Sequence, residues 1–187
     1  MRLPRYIGIC GNPGSGKSEV QRILRDRYSV QPVDDGYALR DFCQIHLGMS
    51  YDDVHTQSGK AGWTIINGRR WNNRKVLGEF GLALEATFGV DIIHWMAARR
   101  LPAGGCYSFG SVRRNAEAIK AEGGILLAVR NPFTQVRENE FDGFRIDLID
   151  VWIDNDVQDS GLGTEAGLGD LEAKVVAAIE SLGRVAA

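Results

Sequence analysis

The feature that most constrains the fold is a glycine-rich stretch near the N-terminus, GICGNPGSGKSEV at residues 8–20. Residues 11–18 within it fit the pattern G-x-x-x-x-G-K-[ST]. The preceding run, Arg5–Cys10, is short and apolar like a buried strand. After the loop, apolar residues recur at helical spacing, at Val20, Ile23, Leu24 and Tyr28. A strand, a glycine loop and a helix in this order predict the first unit of an α/β sheet.

This P-loop pattern has a specific chemistry. Glycines let successive backbone N–H groups point into one concavity, and the start of the next helix adds partial positive charge. Lys17 is expected to reach the β- and γ-phosphates of ATP, and Ser18 to ligate Mg²⁺. The predicted ATP-binding residues are Gly11, Asn12, Pro13, Gly14, Ser15, Gly16, Lys17, Ser18 and Glu19. The loop predicts the donor but not the reaction, because switches, motors and small-molecule kinases all carry it.

The rest of the chain alternates predicted strands and helices. Further strands are expected at Ser29–Asp34, Cys106–Val112, Gly124–Val129 and Leu148–Asp154, with helices near 37–47, 73–88, 91–99, 114–122 and 171–182. The segment 48–70 is the least regular, and its Asn67-Gly68 pair predicts a hairpin turn. The predicted fold class is α/β, a three-layer P-loop NTPase fold with a parallel five-stranded sheet and helices on both faces. We expect one domain over 1–187, with 48–75 as an acceptor-side or lid insertion.

Composition limits the classes of partner and site that the chain is expected to have. A net charge of −2 argues against a broad surface for polymeric nucleic acid. The cysteines, Cys10, Cys43 and Cys106, are widely spaced and predict reduced thiols rather than a zinc site. Neither a signal peptide nor a membrane span is apparent, so we expect a cytoplasmic protein with small-molecule nucleotide partners.

Arginines favour a transferase over a switch or a motor. The chain has no N-K-x-D sequence for reading guanine, and its CYSFGSV strand ends in Ser111, Val112 and Arg113 where a motor ATPase would have Asp. The strand that does end in acids, LIDVWIDND, comes last in the chain. Phosphoryl transfer between two anions needs several cations around the moving group, and guanidinium binds phosphate bidentately. The arginines considered are Arg69, Arg70, Arg74, Arg99, Arg100, Arg113, Arg114, Arg130 and Arg137.

Several stretches together resemble the deoxynucleoside monophosphate kinases of tailed bacteriophages and prophages. They are GNPGSGKS, DDGYALRDF, GRRWNNRKVLGEFG, SVRRNAEAIKAEGGILLAVRN and DVWIDND, and they span nearly the whole chain. Apart from the P-loop each is a weak motif, and their order and spacing carry the likeness. The resemblance implies transfer of the ATP γ-phosphate to a deoxynucleoside 5′-monophosphate.

Physics and resemblance together suggest further site residues. Asp34 or Asp35, at a strand end, would order metal-bound water or hold the acceptor, and Arg40 would bind the acceptor phosphate. Arg70 and Arg74 would clamp the acceptor or the transferring group, and Trp63 or Trp71 would offer a face to the base. The resemblance places Arg113 at a strand end on the catalytic side and Asn155 and Asp156 beside the adenine. Arg130 follows another predicted strand and is expected on the acceptor side.

Two alternatives stay open. The first is another small-molecule kinase, similar to dephospho-coenzyme A kinase, which shares the loop and the acidic second strand end. The second is a nucleotide-binding module with impaired catalysis, because Ser111 stands where the resembling family commonly has Asp. Small kinases of this type often pair, so a homodimer also stays open.

Overall fold

The computed structural model describes residues 3–110, 112–134, 143–156 and 165–185. Ser111 and Arg137 therefore lie outside the described residues. The chain divides into two compact units, one of Met1–Val33 and Leu101–Ala187, the other of Asp34–Arg100. The second unit begins and ends outside the 48–75 range expected for an insertion.

The elements alternate along the chain much as the sequence predicts. The strands are β1 (Tyr6–Cys10), β2 (Gln31–Val33), β3 (Trp63–Ile66), β4 (Arg69–Asn72), β5 (Tyr107–Phe109), β6 (Ile125–Arg130) and β7 (Val151–Asp154). The helices are α1 (Lys17–Tyr28), α2 (Tyr37–Leu47), α3 (Tyr51–His55), α4 (Gln57–Ala61), α5 (Asn73–Phe88), α6 (Ile92–Ala98), α7 (Ala116–Ala121) and α8 (Glu165–Val185). A 3-10 turn spans Ile146–Leu148.

The first unit is built on a five-stranded sheet with the order β2-β5-β1-β6-β7. Every pairing in it is parallel, with Tyr6 opposite Tyr107 and Ile7 opposite Ile125. This confirms the predicted parallel sheet. Since parallel strands end at the same edge, β1, β6 and β7 bring the segments after Cys10, Arg130 and Asp154 to one side of the first unit.

Helices cover both faces of this sheet. On one face Ile7 and Ile9 of β1 pack with the buried stripes of α1 and α8, which include Leu24 and Val175. On the other face Gly8 lies against α7, and a Cβ there would come within 2.8 Å of the Ile119 side chain. The three-layer α/β architecture is thus confirmed. Within the described helices, none has both the length and the apolarity needed to cross a bilayer.

The second unit packs helices against a hairpin. Its core contains Cys43, Met49, Val54 and Val76. Asn67 and Gly68 have φ of 50° and 71°, which a two-residue type I′ turn requires, so the predicted β3–β4 hairpin is confirmed. The preceding polar segment, expected to be irregular, instead forms α3 and α4. A Ser50–Asp53 capping box begins α3, and the Thr56 hydroxyl caps α4.

Candidate functional site

Three glycines shape the loop between β1 and α1. Gly11, Gly14 and Gly16 have φ of 141°, 81° and 102°, a region that other L-residues rarely adopt. At Gly11 a Cβ would lie only 2.4 Å from the Val129 carbonyl oxygen. The loop therefore requires glycine both for its backbone conformation and for its packing against β6.

Lys17 lies at the first turn of α1 and closes the loop. Its Nζ donates to the carbonyl oxygens of Gly11 and Asn12, each at 2.8 Å. Ser18, predicted to ligate Mg²⁺, is exposed, whereas Ser15 is buried and its hydroxyl has no hydrogen-bond partner among the described residues. The side chain of Glu19 accepts hydrogen bonds from Arg22 on the same helix, so in this structure it neutralises an arginine.

Cys10 ends β1 directly before the loop. Burial raises the pKa of its thiol to about 12, against the opposing influence of Lys17. The thiol is therefore neutral at physiological pH, and it provides no thiolate nucleophile beside the phosphate loop.

Asn155 reaches the loop from the far end of the chain. It directly follows β7, and its Nδ2 donates to the Ser15 carbonyl oxygen at 2.9 Å in a buried hydrogen bond. Asp156, the next residue, forms an ion pair with Lys174 of α8 at 2.8 Å. The structure thus places Asn155 against the phosphate loop itself, and its predicted position beside the adenine stays a prediction.

Of the two predicted arginines of the first unit, Arg130 ends a strand and Arg113 does not, because β5 ends at Phe109 and not at Val112 as the sequence predicts. Arg130 ends β6, donates from Nε to Asp154 at 2.7 Å and lies 5.5 Å from the centre of the Trp152 ring. Hydrogen bonding and charge from Asp154 raise the pKa of Arg130 further. The backbone N–H of Arg113 donates to the Asn115 side chain, and the Arg113 side chain is half-buried.

In the second unit, Arg40 is paired with Asp34. The two form an ion pair, and Asp35 beside them is buried. Burial lowers the pKa of Arg40 below its ordinary value, and its Nε is a buried donor with no partner among the described residues. The structure therefore brings together two of the predicted acceptor residues, with one guanidinium N–H left over.

The hairpin places its two tryptophans on opposite faces. Trp63 lies opposite Asn72 and Thr64 opposite Trp71 in the β3–β4 register, so Trp63 and Trp71 cannot serve one face of a base together. On the Trp63 face, the Arg70 guanidinium lies 4.8 Å from the centre of the Trp63 ring, which is 56% exposed. A cation–π contact of this kind attracts the guanidinium to the face of the ring.

Arg74, in the first turn of α5, is held by a neutral group. Its Nη2 donates to Gln57 Oε1 at 2.8 Å. Residues 54–78, which contain the hairpin and its flanks, carry five Lys or Arg and no Asp or Glu. Neither Arg69 nor Arg70 forms an ion pair with a described residue. This stretch is therefore a concentrated positive region in a chain whose net charge is slightly negative.

A buried polar network behind the hairpin was missed by sequence reasoning. Asn73 is fully buried, donates from Nδ2 to Asp53 Oδ1 and to the Gly59 carbonyl at 2.8 Å each, and accepts from the Thr64 hydroxyl at 2.7 Å. Its neighbour Asn72 caps α5 through the Lys75 N–H. The Asn-Asn pair was visible in the sequence only as part of a polar stretch.

Comparisons with known proteins give remote likenesses. No family model matches the chain, and no curated protein matches it. Among solved structures, TT1252 from Thermus thermophilus is 18% identical, covers 94% of this chain and 98% of its own, and has a TM-score of 0.47. A mutant of the Mycobacterium tuberculosis APS kinase is 13% identical over 96% of this chain and 99% of its own, with a TM-score of 0.41. An unliganded sugar kinase from Janibacter is 12% identical over 95% of each chain, also with a TM-score of 0.41. At this level of similarity no activity passes from those proteins to this chain.

Proposed function

We propose that this protein transfers the γ-phosphate of ATP to a deoxynucleoside 5′-monophosphate. The observation that carries the proposal is the loop of residues 11–18, which combines the P-loop sequence with its left-handed glycines and a lysine at the start of α1. In the reaction, an acceptor phosphate oxygen bonds to the γ-phosphorus while the bond from that phosphorus to the β–γ bridging oxygen breaks, and ADP leaves.

The donor side is supported by the chemistry of the loop. Backbone N–H groups at the start of α1 and the ammonium of Lys17 are donors suited to the β- and γ-phosphates. Lys17 Nζ is at present bonded to two loop carbonyls and would exchange them for phosphate oxygens.

The residues also fit a magnesium ion bound with the triphosphate. Mg²⁺ takes oxygen ligands and usually keeps several waters, with phosphates and one or two protein groups completing its shell. The exposed Ser18 hydroxyl is such a group. The described residues contain no cluster of three or more His, Cys, Asp or Glu side chains. Bound Mg²⁺ would offset charge on the phosphates, and Ser18 would be its ligand from this chain.

The acceptor side is supported by the second unit. Arg70 stacked on Trp63 offers a guanidinium for a phosphate beside an aromatic face for a base. Arg74 bonds to a neutral glutamine, so its charge is not neutralised there. Arg40 has a buried N–H without a described partner. A mononucleotide carries both features that this set suits, an anionic phosphate and a flat base.

An impaired nucleotide-binding module is the second candidate. Gly110 and Val112, the described residues that follow β5, carry no carboxylate at this strand end beside β1. In a catalytic site, Mg²⁺-bound water and Ser18 would have to take the place of the missing carboxylate, whereas a module that only binds nucleotide does not need that carboxylate.

An acceptor panel tests the proposal. ADP formation from Mg-ATP is followed in a coupled assay with dAMP, dGMP, dCMP, dTMP and modified dNMPs, and with dephospho-coenzyme A as a separate arm. We expect stimulation by at least one dNMP. Tight ATP binding with no stimulation would favour the impaired module, and stimulation by dephospho-coenzyme A alone would favour the other kinase class.

A matched pair of arginine variants locates the acceptor. Arg70→Ala should raise the acceptor KM or lower kcat by about ten- to a hundredfold, from loss of one charge-assisted contact of about 1.5–3 kcal/mol. Arg99→Ala is the control, because Arg99 lies 4.5 Å from the Trp95 ring centre in a comparable stack of the same unit. Equal effects of the two variants would remove the acceptor role from the hairpin.

A further inference from the structure

We propose that Asn155 is a positioning residue of the phosphate loop, whose carboxamide holds the Ser15–Gly16 peptide so that the Gly16 N–H faces the bound phosphates. The inference rests on the proposed function for its ligand. It concerns how the donor site is held in shape, and it assigns Asn155 a role different from bordering the adenine.

The contact is buried and closely fitted. Asn155 is 1% exposed, and its Nδ2 lies 2.9 Å from the Ser15 carbonyl oxygen. Its backbone N–H donates to the Arg130 carbonyl at 2.8 Å, which continues the β6–β7 ladder by one residue. The side chain is therefore anchored to the sheet at its base and to the loop at its tip.

Peptide geometry links this hydrogen bond to the phosphate site. The Ser15 carbonyl and the Gly16 N–H belong to one planar trans peptide and point in opposite directions. If the carbonyl is held towards Asn155, the N–H must point away from Asn155. In the part of the chain that the structure describes, no acceptor takes the Gly16 N–H, so this donor is available to a ligand.

Close packing keeps the peptide from rotating. A Cβ on Gly16 would lie 2.5 Å from Asn155 Nδ2, so the amide group is already in contact with the loop backbone. Among the described residues, Asn155 is the one donor to the Ser15 carbonyl, and Ser15 itself is 1% exposed. Loss of the amide would leave a buried carbonyl unsatisfied, and peptide rotation would be the means of relieving it.

Lys17 links the Ser15–Gly16 peptide to α1. It follows Gly16 directly and starts α1, so the orientation of the Ser15–Gly16 peptide also sets the approach of the chain to the helix. A loop preorganised in this way binds phosphate without first paying the entropy of ordering its backbone. The structure assigns that preorganisation to a residue 140 positions away in the chain.

Inorganic tripolyphosphate is the probe that tests this role, because it fits the phosphate site and has no base. Its binding and that of ATP are measured by titration calorimetry, both with Mg²⁺, for the wild type, Asn155→Ala and Asn155→Asp. We expect Kd for both probes to rise about tenfold in Asn155→Ala. The rise in Asn155→Asp should be larger, because a carboxylate cannot donate to the Ser15 carbonyl and repels phosphate.

Asn115→Ala is the matched control. Asn115 is also a buried asparagine of the first unit, 8% exposed, and its side chain accepts one backbone N–H, that of Arg113. Thermal unfolding is recorded for every variant. We expect Asn115→Ala to lower Tm without raising either Kd as Asn155→Ala does. If Asn155→Ala does not fold, Asn155→Leu decides the question, because leucine is similar in size, uncharged and unable to donate to the Ser15 carbonyl.

The outcomes separate the two proposals. Weaker ATP binding with unchanged tripolyphosphate binding would assign Asn155 to the base and overturn the positioning role. Unchanged binding of both probes in the Asn155 variants, or an equal loss in Asn115→Ala, would overturn it too and leave the kinase proposal standing. If the wild type bound neither probe, the proposed function itself would fail.

Discussion

Replacing Asn73 with alanine should destabilise the second unit more than replacing an exposed polar residue of that unit. The side chain is fully buried and makes three hydrogen bonds, to Asp53, Gly59 and Thr64, at 2.7–2.8 Å. A typical internal hydrogen bond contributes about 1 kcal/mol net, so Asn73→Ala should lower the free energy of unfolding by about 3 kcal/mol. Buried partners left without a hydrogen bond add to that loss.

Urea unfolding monitored by circular dichroism and tryptophan fluorescence measures the change. Thr64→Val is the companion variant, since it removes the hydroxyl that donates to Asn73 and also contacts Asp53, at constant side-chain size, and it should cost about 1 kcal/mol. In the Asn73→Ala background the same change should cost less, because the Asn73 partner of the hydroxyl is already absent and the contact with Asp53 remains. A loss below about 1 kcal/mol for Asn73→Ala, or additive losses in the double variant, would refute the network.

Two further predictions concern the same region. Gly59→Ala should destabilise the protein strongly, because the added Cβ would meet the Asp52 carbonyl oxygen. Gly78→Ala should stabilise it by about 0.5–1 kcal/mol, because Gly78 has open space around it in the middle of α5. Equal effects of the two variants in thermal unfolding would contradict the packing argument. Hydrogen bonds from Ser50 hold the pKa of Asp53 below its usual range, so its stabilising contribution is present above the unfolded pKa of about 3.9 and is lost as pH falls through the folded value. Asp53→Asn should therefore flatten the decline in unfolding free energy below about pH 4, and an unchanged slope in acid titration would contradict this.

The sheet and the phosphate loop were predictable because their signals are local. A strand such as Tyr6–Cys10 is an apolar run, and Gly11 and Gly16 are needed where the backbone has a positive φ. The Asn67-Gly68 turn was predictable for the same reason, since both residues tolerate the left-handed region.

The rest depends on contacts that no spacing encodes. The segment 51–61 lacks an apolar period, and its short helices are held by caps and by Asn73, which bonds to Gly59 from 14 residues away. The resemblance indicates Asn155 as a site residue, yet the hydrogen bond between Asn155 and Ser15 joins residues 140 positions apart. Polar contacts of this kind follow from the completed fold, so a pattern within one segment cannot predict them.

The two units differ in how their positive charges are balanced, and this difference bears on the ligand. In the first unit, Arg130 pairs with Asp154 and Lys174 with Asp156 and Asp170. In residues 54–78 of the second unit no carboxylate is available within the stretch, and Arg70 is held by an aromatic ring.

Like charges that are gathered in one stretch repel one another and disfavour the compact state. An anionic ligand with a flat group would remove that repulsion and cover the exposed Trp63 ring at once. Increasing the salt concentration should therefore weaken binding of the acceptor and raise its KM. The rise should be steeper in the wild type than in Arg70→Ala, because salt screens the charge that the variant lacks. Parallel salt dependence of the two KM values would contradict an electrostatic role for the hairpin.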